Sequence, residues 1–168
     1  MKRLPAALIL LLGSSAAVAQ EGWVRTETGF VGAERYVCED GCAKDRVVCV
    51  TFSHPGSKGL QPTDLTKTDH LPWGQMDYAM VVATMSDRDD LDPGDMSGGD
   101  RLSGPELVSF SGLDWVTARY AFQSGAEAFS IELLLWTNMA EVEGLRCSYP
   151  AGRDVSQRVR DLAVDLRD

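Results

Sequence analysis

The sequence predicts an α+β domain: a mainly antiparallel β-sheet of about six to eight strands, with a C-terminal amphipathic helix packed on one face and two disulfides. Three observations carry this. Residues 113–123 and 127–137 alternate apolar and polar side chains around Ser124-Gly125-Ala126, as the arms of a hairpin do. Val155, Val159, Leu162, Ala163 and Leu166 recur at helical spacing in the tail. Cys38, Cys42, Cys49 and Cys147 form an even set, which in an exported chain reads as a disulfide framework.

Export is itself an expectation. Met1-Lys2-Arg3 precedes an apolar run to Leu12, and Ala17-Val18-Ala19 follows the break at Gly13. A positive start, a short apolar stretch and a small-x-small end describe a secretory leader over 1–19. A membrane span needs about 20 apolar residues, more than this run offers. No later run is long enough, so no transmembrane segment is expected after cleavage. The expected location is secreted, periplasmic if the source is a Gram-negative bacterium. Residues 20–168 remain as one domain, with no Pro/Ser-rich linker, repeat or heptad dividing them. Without Lys2 and Arg3 the 16 basic residues become 14 against 25 acidic ones, a net charge of −11. That balance excludes a protein that grips a phosphate backbone, which rests on clustered Lys and Arg.

The elements follow in order. Short strands are expected at 23–28 and 34–38, punctuated by Gly29 and Gly32. Residues 46–52 are apolar on both faces, as in a strand inside a sheet. Residues 54–73 lack periodicity and carry four prolines and glycines up to Pro62, so they read as an irregular connection with a helical turn near 62–68. Residues 77–85 read as a strand, with Tyr78, Met80 and Val82 on one side and Ala79, Val81, Ala83 and Met85 on the other. Residues 86–104 read as a long polar loop, and 107–110 as a short strand. After the hairpin, 144–149 adds a strand ended by Pro150. Asp154 is placed to cap the last helix, with Gln157 in the capping-box position.

Four cysteines allow three pairings. The sequence favours Cys38–Cys42, around an acidic turn, with Cys49–Cys147, both in strand-like runs. A metal site is the rival reading, but no second cysteine or histidine pair completes a zinc ligand set. The spacing is neither the C-x-x-C of thiol oxidoreductases nor a haem attachment site.

The candidate chemistry is sparse. Asp87, Asp89, Asp90, Asp92 and Asp95 lie in the densest charge of the chain, and carboxylate oxygens are the ligands calcium prefers. Counted from Asp90, however, Gly94 occupies the fifth position and Arg101 the twelfth, against the EF-hand pattern. A mobile polar loop and a partner-binding lid are the other readings of this stretch. His54 and His70 are the catalytic candidates, since an imidazole near a carboxylate can be tuned for acid–base work. Nucleophile elbows, zinc-protease helices and phosphate-cradling loops are absent from the sequence. Carboxylate pairs for hydrolysis need not be close in sequence and stay open. Trp115 and Trp136 oppose the main apolar faces of the hairpin, so they are either exposed for binding or covered by another layer.

Two functions of different class follow. One is a non-catalytic module of the cell envelope that binds a protein or small ligand, without nucleic acid or cofactor. The other is a hydrolase with dispersed carboxylate and His residues, aided by calcium where the Asp cluster supplies the site.

Overall fold

A computed structural model describes residues 21–55, 59–68, 73–138 and 141–167. The leader at 1–19 and His70 lie outside these residues. Seven strands form one antiparallel sheet: β1 (Trp23–Thr26), β2 (Arg35–Cys38), β3 (Val48–Pro55), β4 (Met96–Phe110), β5 (Leu113–Ser124), β6 (Glu127–Thr137) and β7 (Glu141–Pro150). Their order is β1-β2-β3-β7-β6-β5-β4. The sheet is thus two meanders. The first runs β1 to β3; the chain then covers one face with the connection and helix α1 (Trp73–Asp87), which runs from Tyr120 of β5 to Arg146 of β7, and re-enters the sheet at the far edge as β4 to β7. Helix α2 (Ser156–Arg167) follows. No helix among the described residues is long and apolar enough to cross a membrane.

The meanders meet at β3 and β7, where Cys49 and Cys147 stand directly opposite each other and form a disulfide. Cys38 and Cys42 form the other, at the end of β2. Both pairings are those the sequence favours.

Alternation builds the two faces of the sheet. Val116, Ala118, Tyr120 and Phe122 of β5 join Phe129, Ile131, Leu133 and Leu135 of β6 under α1, with Trp73 and Met80 of the helix and Leu65 of the connection. The opposite residues, Trp115, Leu134 and Trp136, pack with Leu145 under Val155, Val159, Leu162 and Ala163 of α2. Residues 131–136 are consequently buried on both sides, as strands covered by two layers are. The tryptophans are therefore core: Trp115 stacks on Phe110 at 4.7 Å and meets Trp136 edge-on at 5.4 Å. It is the tryptophan face that carries the C-terminal helix, and the larger apolar face that lies under α1 and the connection.

Three expectations are corrected. Residues 77–85 are helical, not a strand. An apolar run with no dominant period satisfies both templates, and its length and Ala/Met content suit a helix. Trp73, Met80, Thr84 and Asp87 are its buried side, spaced as helical turns are. Residues 86–104 are not all loop, because β4 begins at Met96 and pairs with β5 along its length. Bulges interrupt that register between Gly98 and Asp100 and between Arg101 and Glu106. As an edge strand, β4 needs little apolar alternation, and bulges take glycine readily. At Gly104, with φ +82°, a Cβ would stand 2.3 Å from the carbonyl oxygen of Thr117. Finally, α2 begins at Ser156, and Gln157 donates to Asp161 instead of closing a capping box on Asp154. The 3-10 turn at Pro62–Asp64 agrees with the expected helical turn in the connection.

Candidate functional site

The end of α1 delivers the acidic stretch onto the sheet, where arginines receive it. Asp87 is buried and bonds the equally buried Arg146 of β7. Arg88, with its side chain fully enclosed, donates to the carbonyls of Arg46 (3.1 Å) and Ser148 (3.0 Å) and makes a bidentate pair with Asp90 at 2.9 and 2.8 Å. Arg46 reaches Asp90 at 2.7 Å and Glu127 at 2.7 Å. Arg35 donates to the Asp87 carbonyl at 2.8 Å and to Asp89 at 3.0 Å. The guanidiniums of Arg88 and Arg46 also lie 4.9 and 5.4 Å from the centre of the Phe129 ring. Burial works to raise the Asp90 carboxyl, but the hydrogen bonds from Arg88 and Arg46 outweigh it and bring it down to about 2.

Asp87, Asp89 and Asp90 are thus held by arginines. Asp92 accepts the amide of Gly94 at 2.8 Å, and the carbonyl of Asp95 accepts that of Gly125 at 3.0 Å. Among the described residues, no three His, Cys, Asp or Glu side chains converge as a metal-holding group. His54 stands exposed on β3 opposite Val142.

This network fixes one end of a helix that has no clear apolar stripe. Bonds from Trp73 Nε1 to the Leu65 carbonyl (2.8 Å) and from the Tyr120 hydroxyl to Asp77 (3.0 Å) fix its other end. Between these anchors α1 has apolar residues on its outer side. Tyr78 is 76% exposed and Val82 40%, at the i,i+4 spacing of one face. Beside them, Ala79, Met80 and Ala83 form one wall of a cleft of about 310 Å³. Phe30 and Val31, at the tip of the loop before β2, form the other; Val50 and Phe52 of β3 contribute to the lining, and so does Arg146. Phe30 is 53% exposed, and Val31 is fully exposed. The walls of this cleft and the exposed side of α1 together carry Phe30, Val31, Tyr78 and Val82, four large apolar residues left exposed among the described residues.

A second cavity, of about 320 Å³, opens on the α2 face and gathers Glu34, Glu141 and Glu143 with Trp136. Here carboxylates scattered in sequence do come together. Both oxygens of Glu34 are engaged, by Arg25 and Tyr36, and both of Glu143, by Trp136 at 2.6 Å and by Asn138. Burial, then the bond to Glu34, pushes the Tyr36 phenol up to about 12.

Sequence reasoning did not find the cleft. Phe30-Val31 between two glycines was the available signal, since an apolar pair in a turn has no strand face to bury it. The opposite wall became visible only once 77–85 was helical.

Fold and site together define an antiparallel α+β sheet, tied by two disulfides, with an apolar cleft over its β3 side. No protein-family model matches the chain, and no curated protein does. Among solved structures it is similar to cyanobacterial PsbP (CyanoP) from Synechocystis sp. PCC 6803, with 16% identity and a TM-score of 0.48, over 91% of this chain and 96% of that one. It is also similar to a protein from Bacteroides thetaiotaomicron VPI-5482, with 11% identity and a TM-score of 0.48, over 84% of this chain. The chain spans about 40% of the length of that protein.

Proposed function

We propose that the chain is an exported, non-catalytic binding module of the cell envelope, and that it docks a protein partner through the cleft between the 29–33 loop and α1. The observation that supports this is the exposure of Phe30, Val31, Tyr78 and Val82 around a cleft with apolar walls. Large side chains of this kind gain by leaving water, and a partner's apolar anchor offers them that. The hydrolase reading has less support. The carboxylates of Glu34 and Glu143 in the second cavity already spend their oxygens on neighbours, and His54 is not among the residues that line it. Calcium has no role in this reading, because arginines already neutralise the Asp87–Asp90 stretch.

The test is site-specific photo-cross-linking in the native envelope. A photoreactive residue replacing Val31 is expected to give a discrete protein adduct, and one replacing Glu106, exposed on edge strand β4, is not. Ala79→Arg, which fills the cleft, is expected to abolish the adduct. Equal adducts from both positions, or an adduct indifferent to Ala79→Arg, would overturn the proposal.

A further inference from the structure

We infer that the partner binds as an extended strand added to β3 beside Ser53, with an apolar side chain in the cleft and a Lys or Arg in the cavity on the α2 face. This rests on the docking reading above and specifies the shape and charge of what docks. All eight residues of β3 pair with β7, but among the described residues only Val48, Cys49 and Val50 pair with β2. From Thr51 onward β3 therefore has a strand on one side only. The Thr51 N–H still donates to the Glu34 carbonyl at 2.9 Å, while the Glu34 N–H turns to the Thr51 hydroxyl at 2.8 Å. Gly32, at φ +81°, then turns the 29–33 loop away. Backbone groups of an antiparallel strand point to alternate sides, so Cys49, Thr51 and Ser53 are the residues that face the β2 side. The Ser53 N–H and carbonyl thus point to the open side, and Ser53 is exposed. Such an edge is a template for another strand, and main-chain bonds of this kind are how many domains hold extended peptides.

Both faces of this edge are open. Gly32, Thr51, Phe52 and Ser53 line the cleft beside α1 and also the cavity of about 320 Å³ on the α2 face. An added strand sends successive side chains to opposite faces, so neighbouring residues of the partner enter the two cavities. The residue opposite Ser53 shares its face and meets Glu34, Glu141 and Glu143, with no Lys or Arg in the lining. Arg25 balances Glu34, but the groups bonded to the Glu143 carboxylate are the neutral Trp136 and Asn138. A cation at that position is attracted and a carboxylate repelled. The residues on either side of it face Phe30, Phe52, Ala79 and Met80, which favour apolar side chains.

The experiment titrates the disulfide-bonded chain by NMR with acetyl-Val-Lys-Val-Lys-Val-amide. The peptide is expected to shift Ala79 and Ala83 and, at saturation, to slow hydrogen exchange at the Ser53 amide about tenfold. It is expected to bind about tenfold more tightly than acetyl-Val-Glu-Val-Glu-Val-amide, in which attraction becomes repulsion. Because the basic residue stands opposite Ser53, its own main-chain groups make the bonds. N-methylation of both lysines is therefore expected to weaken binding about tenfold, and N-methylation of the central valine to leave it unchanged. On the protein, Ser53→Pro removes the outward N–H and leaves the ladder to β7 intact, as Pro55 does two residues on; it is expected to weaken the Lys peptide by a similar factor. If that variant does not fold, the methylated peptides make the same comparison on the wild-type chain. Equal affinity for the Lys and Glu peptides overturns the inference. So does methylation of the lysines that harms no more than that of the valine, an unprotected Ser53 amide, or no binding at millimolar concentration. Protection of Ser53 that rises with protein concentration without peptide also overturns it and assigns the edge to a second copy. In each case the cross-link from position 31 judges the docking reading by itself.

Discussion

Asp90 shows how a single side chain can be mistaken from its neighbours in sequence. Among five clustered aspartates it looks like a ligand for a cation, and in the fold the cations are Arg88 and Arg46. Its carboxyl lies near 2 when folded and 3.8 when unperturbed. The pair therefore contributes stability above pH 3.8, and the contribution is lost as pH falls toward 2. Asp90→Asn is expected to destabilise the protein at neutral pH by about 1 kcal/mol, the shift being discounted for the exposed side of the pair. In urea melts the gap between wild type and variant should close between pH 4 and pH 2. A gap that persists at pH 2 would mean that the amide disrupts something other than charge. The buried Arg146–Asp87 pair is different in kind. Desolvation cancels much of its attraction, so its role is to set where α1 sits, and losing one partner would strand the other charge.

At the scale of elements, α1 and β4 both depart from the patterns by which elements are recognised. An amphipathic helix is held by its stripe; α1 is held at its two ends, by Trp73 and Asp77 at one and by the arginine network at the other. That leaves its outer side free to remain apolar, which is what a docking surface requires. β4 is an edge strand whose glycines allow it to bend close to β5. Gly104→Ala is expected to cost about 3 kcal/mol or more, because its Cβ would collide with the Thr117 backbone at a φ that disfavours side chains. Thermal melting measures this, and a loss below about 1 kcal/mol would show that β4 can shift away from β5 at little cost.

At the scale of the whole molecule, two meanders are joined where β3 meets β7, and one covalent bond spans that seam. The Cys49–Cys147 disulfide closes a sequence separation of 98 residues, against 4 for Cys38–Cys42. In the loop-entropy account the long link is worth about 4–5 kcal/mol and the short one about 2. Replacing Cys49 and Cys147 by alanine should therefore lower stability in denaturant about twice as much as replacing Cys38 and Cys42. Equal losses would place the stabilisation in native-state packing around each bridge, not in the unfolded chain.

The hairpin, the tail helix, the strands on either side of the seam and the cysteine pairing were all legible in sequence. In each, the local pattern and the final environment agree: alternation at β5 and β6 meets two apolar layers, and the stripe of α2 meets one face. Which face received the helix was not legible, because Trp115 and Phe122 are both apolar and either side of the hairpin could have been covered. Nor were α1, the length of β4 and the cleft. Asp87 finds Arg146 59 residues away, and Arg88 finds Ser148 60 away. Phe30 and Ala79 become two walls of one cleft only after α1 has packed over the sheet. Residue type and period govern what a segment can bury. Which distant partner takes a charge, and which apolar side is left facing water, follow from how the two meanders close on each other.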